Sequence, residues 1–386
     1  MKILIAADIF PPVGGGPAIY AAGLSNALTE KGDTVTVVSL TVDSKKEVTG
    51  ATVVAVTQKN KLLRYWEYFG LLLKHARQAD LVYAMGPVNA GLPALFAARL
   101  LGKKFVVKVV GDYAWEQGFQ RFGVTELIDE FQTKKYSGSV RRLQVIQKFV
   151  TRSADQVIVP SEYLKKLVIG WGVLFDKVAV IYNAVSFLAP EPKYLGQKQQ
   201  AGETWILTVA RLVPWKGIDT IIRLLPRLKS ELPNQIIRYK IIGDGPDRQR
   251  LQDLVEKNNL QGTVELLGEL SNTEVMAYTS SADIFVLNSG YEGFSHVLVQ
   301  ALACNKPVAA SNVGGNPEII IPGETGELFP YNDTKEILKT LVTLIRIRPV
   351  YNFLQTEQRI TFFAKFDFNK MVQETKALLQ KICAHS

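Results

Sequence analysis

Residues 1–40 read MKILIAADIFPPVGGGPAIYAAGLSNALTEKGDTVTVVSL. Ile3–Ala7 is a short apolar run, and Asp8–Gly16 is a loop rich in proline and glycine. Ala18–Lys31 then repeats apolar residues at about 3.6 spacing, with Gly32 as its stop. Thr34–Leu40 is built of Val and Thr, as a strand is. Strand, glycine-rich turn, helix, strand is the opening of a doubly wound α/β domain.

The same rhythm runs outward. Leu81–Ala84, Phe105–Val110, Gln156–Val159 and Val178–Ile181 read as strands. Pro93–Leu101 reads as a helix ending at Gly102, and Ser161 as the N-cap of another helix. Strands that are apolar throughout and alternate with helices indicate a parallel sheet covered on both faces. Near residue 184 the rhythm breaks. Pro190–Thr204 is polar, with Pro and Gly, and reads as part of a linker. A second series follows, with strands at Trp205–Ala210, Tyr239–Ile242, Val264–Leu267, Ile284–Leu287 and Pro307–Ala310. Helices at Asp219–Lys229, Asp247–Asn258, Thr273–Ser281 and Val297–Ala303 lie between them. The expected organisation is two Rossmann-like domains, residues 1–185 and 205–360, joined by a linker at 186–204 and facing each other across a cleft.

A chain of 386 residues exceeds what one core usually serves, and 47% hydrophobic with 21% charged residues is ordinary for a globular protein. Cys304 and Cys383 form neither a disulfide framework nor a zinc spacing, which fits a reducing compartment. His75, His296 and His385 are far apart in sequence, so no metal site is expected. The N-terminal apolar run meets Asp8 and then Pro11-Pro12, which reads as a buried first strand rather than a signal peptide. No run of about 18 apolar residues suggests a spanning helix. Of the net charge of +9, residues 1–185 carry +8 and the remainder +1. This basic half has two readings: attraction to anionic partners, or solubility alone. Residues 60–77 mix Tyr65, Trp66, Tyr68 and Phe69 with Lys61, Arg64, Lys74 and Arg77. Such a helix either lies on a membrane or packs against the sheet, and the basic segment 131–152 has the same two readings.

Five glycine-bearing segments sit after strands. Gly14-Gly15-Gly16 follows the first strand, but Ile19 stands where a dinucleotide fingerprint needs its third glycine. Gly15 and Gly16 still allow close backbone approach of a phosphate or sugar at a helix start. In the segment 209–217, Arg211 and Lys216 supply two cations for a diphosphate, or simply a charged loop. Gly243 and Gly245 flank Asp244 in a turn that either admits a nucleotide or is a bare turn. The segment Ser289-Gly290-Tyr291-Glu292-Gly293-Phe294-Ser295-His296 carries the most chemistry. Glu292 suits sugar hydroxyls, and the amides of Gly293, Phe294, Ser295 and His296 suit a diphosphate at a helix N-terminus. Gln300 lies early in that helix, in reach of a ribose. Asn312–Glu318 is the fifth, another glycine-rich loop at a strand end, and Gly323–Leu328 reads as a turn before a final strand.

Taken in order, these motifs resemble the large retaining glycosyltransferase family of the GT-B fold, called group one or family four. The resemblance covers almost the whole chain and is densest from Leu207 to Pro330. It implies transfer of a hexose, with retention, from a nucleotide-diphosphate sugar, usually without a metal or other cofactor. Arg211 and Lys216 would hold the donor diphosphate, Glu292 the donor sugar, and Gln300 the ribose. Two positions depart from the family pattern: Gln300 stands where Glu is usual, and the segment Val109–Tyr113 lacks the family histidine, leaving Asp112 either as the nearest candidate to face the donor sugar or as a helix cap or turn residue. The resemblance further implies that residues 361–386 form a terminal helix crossing back to the first domain. The partners expected are the nucleotide-sugar donor, a glycan or lipid-linked acceptor of cell-envelope polysaccharide synthesis, and an anionic membrane touched peripherally, but no nucleic acid. The expected location is the cytoplasm, at the inner membrane face. The alternatives are a nucleotide-sugar epimerase or a phosphorylase of the same plan, or a relative that binds nucleotide or glycan without catalysis.

Overall fold

The computed structural model describes residues 1–12, 16–41, 50–185, 202–347 and 356–384. Gly15 and most of the linker, residues 186–201, lie outside the described residues. The chain divides into two compact units, Met1–Tyr182 with Phe368–Ser386, and Asn183–Asp367.

Unit 1 is built on seven parallel strands: β1 Lys2–Ala7, β2 Thr34–Ser39, β3 Thr52–Ala55, β4 Leu81–Ala84, β5 Lys104–Lys108, β6 Gln156–Val159 and β7 Val178–Val180. Their order across the sheet is β3-β2-β1-β4-β5-β6-β7. Strands β1 and β4 pair directly, Ala6 beside Ala84, and β4 pairs with β5, Ala84 beside Val107. The order reverses direction between β1 and β4, and that switch point opens a crevice at the strands' carboxyl ends. The helices are α1 Gly16–Glu30, α2 Lys61–Ala76, α3 Gly91–Leu100, α4 Tyr113–Arg121, α5 Ile128–Thr133, α6 Gly138–Ser153 and α7 Glu162–Gly170.

Unit 2 repeats the plan with β8 Glu203–Val209, α8 Ile218–Glu231, β9 Ile236–Ile242, α9 Arg248–Lys257, β10 Val264–Gly268, α10 Asn272–Ser281, β11 Ile284–Leu287, α11 His296–Ala303, β12 Val308–Ser311, β13 Glu327–Phe329, α12 Thr334–Ile347 and α13 Thr356–Ala364. The sheet order is β10-β9-β8-β11-β12-β13, so its switch point lies between β8 and β11. Strand β11 is buried along its whole length because helices cover both faces of the sheet. Helix α8 turns Ile218, Ile221, Ile222, Leu224, Leu225 and Leu228 into the core. Full burial of each such side chain is worth about 1.5–3 kcal/mol.

The borders differ from those read off the sequence. Unit 2 begins at Asn183, where the first domain was expected to run to 185 and the second to begin at 205; Asn183 faces His296 at 3.3 Å and Val185 N–H donates to the Phe366 carbonyl. The terminal segment is broken where one helix from 361 was expected. Phe362 and Phe366 stay in unit 2, with Phe366 packed on Phe294. The last helix, α14 Phe368–Ala384, belongs to unit 1. Its Lys376 ammonium donates to the Lys31 carbonyl and pairs with Asp33 at 2.9 Å, and the Phe368 ring lies against Gly23 of α1.

Candidate functional site

Unit 2 gathers charge at the carboxyl ends of β8 and β11. Lys216 comes from the loop after β8, and Glu292 from the loop after β11. Their side chains meet at 2.5 Å, each about seven-eighths buried. The pair therefore spans the switch point, where a doubly wound sheet holds its ligand. Neither loop is free to wander. Gly290 N–H donates to the Trp215 carbonyl, and Gly315 N–H donates to the Glu292 carbonyl at 2.8 Å. Gly314 has φ +56°, and a Cβ there would stand 2.0 Å from the Glu292 carbonyl oxygen. Only glycine fits, so the 312–318 turn acts as a backrest for Glu292.

Glu292 leads into α11, whose N-cap is Ser295. The Ser295 hydroxyl is buried and has no hydrogen-bond partner. A buried, unmatched hydroxyl is costly without a ligand, and here it sits where a helix presents its free amides. Gly293 and Phe294 are buried beside it, and His296 and Gln300 are half-buried four residues apart on one helix face. Arg211 is exposed in the β8 loop.

Gly243 and Gly245 let the backbone of their turn pack closely on the loop after β8. Gly243 has φ +128°, and a Cβ on it would stand 2.0 Å from the Ala210 carbonyl oxygen; one on Gly245 would stand 2.3 Å from that of Leu212. Both are consumed by backbone packing. Leu212 N–H donates to Asp244 O, and Asp247 N–H donates to Leu212 O. These bonds fix the loop that carries Arg211.

Asp112 is turned into the protein interior. It is fully buried as the N-cap of α4. Its Oδ1 accepts from Trp115 N–H and Gln147, and its Oδ2 accepts from Gln132. Burial raises its pKa while those donors hold it back. The cap bond uses Oδ1, and the Gln132 side chain occupies Oδ2. Gly16 is the exposed first residue of α1.

Unit 1 holds a second polar cluster, missed by motif reading because its members are scattered singly. Asp8 follows β1 and Asn89 follows β4, so they too bridge a switch point. Asn89 Nδ2 donates to Asp8 Oδ2 at 3.3 Å and to the Tyr113 hydroxyl at 2.9 Å. Its Oδ1 accepts from the Tyr65 hydroxyl at 2.9 Å. Asp8 Oδ1 is buried without a hydrogen-bond partner among the described residues. Burial pushes the Asp8 carboxyl up to about 6, against the Asn89 and Ala90 N–H groups. The readable signal was a carboxylate closing an otherwise apolar first strand.

No helix among the described residues is long and apolar enough to cross a membrane.

Two family models match the chain back to back: Glycosyltransferase Family 4 over residues 14–187 and Glycosyl transferases group 1 over residues 196–359. An uncharacterized glycosyltransferase of Methanocaldococcus jannaschii is 31% identical over 237 residues, 61% of this chain and 62% of that protein, just under two thirds of its length. Glycogen synthase of Mycobacterium tuberculosis is 27% identical over 355 residues, 84% of this chain and 81% of the relative. Among solved structures, Anabaena HepE in complex with UDP-glucose superposes with a TM-score of 0.79 at 20% identity, covering 99% of this chain and 100% of that one. The two matched models together span most of the chain and the fold agrees with them: the chain belongs to the group 1, family 4-type glycosyltransferases of GT-B fold.

Proposed function

We propose that this glycosyltransferase moves a hexose from a nucleotide-diphosphate sugar to a hydroxyl of a glycan or lipid-linked acceptor, retaining configuration and using no metal. The observation that carries this reading is the Lys216–Glu292 pair across the unit 2 switch point, next to the unmatched Ser295 hydroxyl at the start of α11. A cation, a carboxylate and a helix N-terminus are what a sugar diphosphate requires: positive charge on the phosphates and an acceptor for sugar hydroxyls.

In this reading the donor diphosphate draws Lys216 away from Glu292, and Arg211 closes on it from solvent. Glu292, released, accepts hydrogen bonds from the donor sugar. Ser295 and the amides of α11 face the phosphate, and Gln300 turns its amide to the ribose. The acceptor hydroxyl attacks the anomeric carbon from the face the phosphate leaves. The bond between that carbon and the phosphate oxygen breaks, the new glycosidic bond forms, and the acceptor proton passes to the departing phosphate oxygen. Stabilising the charge that builds on that oxygen is commonly the largest catalytic effect.

UDP-glucose is the first donor to try, because the structurally similar HepE holds it. A thermal-shift series with UDP-, GDP-, ADP- and dTDP-sugars tests the site. A ligand at 100 times its Kd stabilises the fold by about 2.7 kcal/mol. One nucleotide should raise Tm in the wild type and not in Lys216→Ala. No shift with any of the four would count against a donor site in unit 2.

The acceptor's setting is read from unit 1. Helix α2 packs beside α3, and α3 beside α6. Leu62 and Trp66 on α2 are 75% and 72% exposed, and Phe96, Leu100, Val145 and Phe149 are exposed on the other two helices. Lys61, Arg64, Arg99 and Lys148 interleave with them. Apolar side chains among basic ones support peripheral attachment to an anionic membrane, where a lipid-linked acceptor resides.

A further inference from the structure

We propose that unit 1 carries a further ligand site, at the amino ends of β1 and β2, which takes a small soluble phosphate monoester. The site is separate from the loops at either switch point and does not depend on the transfer reaction.

It begins as an irregularity in a strand. A sheet covered on both faces is expected to be apolar on both, yet β2 opens Thr34-Val35-Thr36-Val37. Lys2 pairs with Thr34 and Leu4 with Thr36, so these four side chains share one face of the sheet. Where the end of α2 meets that face, His75 and Gln78 complete the wall of a cavity of 210 Å³. A cavity of about 150 Å³ holds benzene, so this one admits about eight to ten non-hydrogen atoms.

The lining is polar and unengaged. The Lys2 ammonium, the Thr34 and Thr36 hydroxyls, the His75 ring and the Gln78 amide form no hydrogen bond or ion pair among the described residues. All five can donate. The acceptors nearby are already used. The Arg77 and Gln78 amides donate to the His75 carbonyl, the Ala79 amide to the Ala76 carbonyl, and the Lys2 amide to Asp80 Oδ2 at 2.7 Å. Asp33, the residue before Thr34, is paired with the Met1 amine and Lys376. Burial, and then Lys74, hold the His75 imidazole below the usual histidine range, so it enters as a neutral donor. Donors without acceptors, a lysine among them, call for an anion rich in acceptor oxygens, as a phosphate is. The volume leaves room for a short hydroxylated stem and none for a nucleotide. Strand β1 is six residues long, which puts the site about 20 Å along the strand from Asp8 at its other end.

Calorimetry on the full chain with glycerol 3-phosphate, inorganic phosphate and glycerol tests the site. Glycerol 3-phosphate should bind once per chain, inorganic phosphate more weakly, and glycerol not at all. Lys2→Gln should weaken glycerol 3-phosphate at least about tenfold, the size of a charged hydrogen bond, and Thr36→Val about three- to tenfold, the size of a neutral one. Both variants should unfold at the wild-type temperature without ligand, since neither side chain is bonded within the protein. Saturating UDP should leave the affinity for the ester unchanged. No binding at millimolar ester, glycerol binding as well as its phosphate, binding that survives both substitutions, displacement by UDP, or binding of phosphatidic acid in vesicles alone would overturn the proposal.

Discussion

Glu292 is held from behind and free in front. Gly314 and Gly315 fix its backbone, while its carboxylate is engaged by Lys216, a partner that a diphosphate can draw away. Glu292→Gln keeps the shape and removes the charge. Hydrogen bonds to an ionised acceptor are about twice as strong as neutral ones. The substitution should lower turnover at least tenfold, about 1.4 kcal/mol of transition-state stabilisation. Gln300→Glu should keep activity or tighten donor binding, since a carboxylate accepts from ribose hydroxyls better than an amide. Steady-state kinetics on both variants check this, and full activity in Glu292→Gln would dissociate the motif from the donor sugar. The sequence shows Glu292, Lys216 and Gln300 because they lie in short segments with glycine on either side. It hides Asp8, Asn89 and Tyr113, which lie 81 and 24 residues apart and become a cluster only when the sheet sets β1 beside β4. Asp112 shows the converse. A carboxylate before a helix reads equally as ligand or cap, and only its three hydrogen-bond donors decide for the cap.

The strands and helices of both sheets were legible wherever apolar runs were bounded by glycine or proline, as at Ile284–Leu287 before the 289–296 loop. Strand β3, Thr52–Ala55, was not read, because it is a four-residue edge strand that is never fully buried and so lacks a strong pattern. Helices α4 and α5 were also missed. Each is short, and α4 carries charge at Glu116 and Arg121 among its apolar residues. Helix α2 was read as ambiguous and is divided by its own geometry. Tyr68, Leu72 and Ala76 are buried, while Leu62, Leu63 and Trp66 point to solvent. The packing reading thus applies to one face of the helix, and the other face is exposed. We expect the protein to bind vesicles containing anionic lipid, with affinity falling at least tenfold from low to high salt as basic residues, worth about 1 kcal/mol each near the surface, are screened. Replacing Leu62 and Trp66 with serine should weaken that binding further at constant salt. Equal co-sedimentation of the variant and the wild type would show that this face is not the one that meets lipid.

At the scale of the molecule, two copies of one architectural idea carry different chemistry. Each unit is a doubly wound sheet with its order reversed at one place, and each places a carboxylate there: Asp8 in unit 1 and Glu292 in unit 2. In unit 2 the carboxylate is answered by a lysine and a helix N-terminus, which suits phosphates. In unit 1 it is answered by an amide and tyrosines, which suits neutral hydroxyls. The basic excess of the first half therefore has no partner at the Asp8 cluster and is consistent with a surface role. The return of α14 to unit 1, through Lys376 on Asp33, makes the chain's end part of its first sheet's support. The central claim is retention without a metal, and the most direct measurement is proton NMR of freshly formed product from UDP-glucose in EDTA. The first anomer to appear should be α, as in the donor, at a rate within twofold of that without chelator. A β product, or a complete loss of turnover that added divalent cation restores, would contradict it.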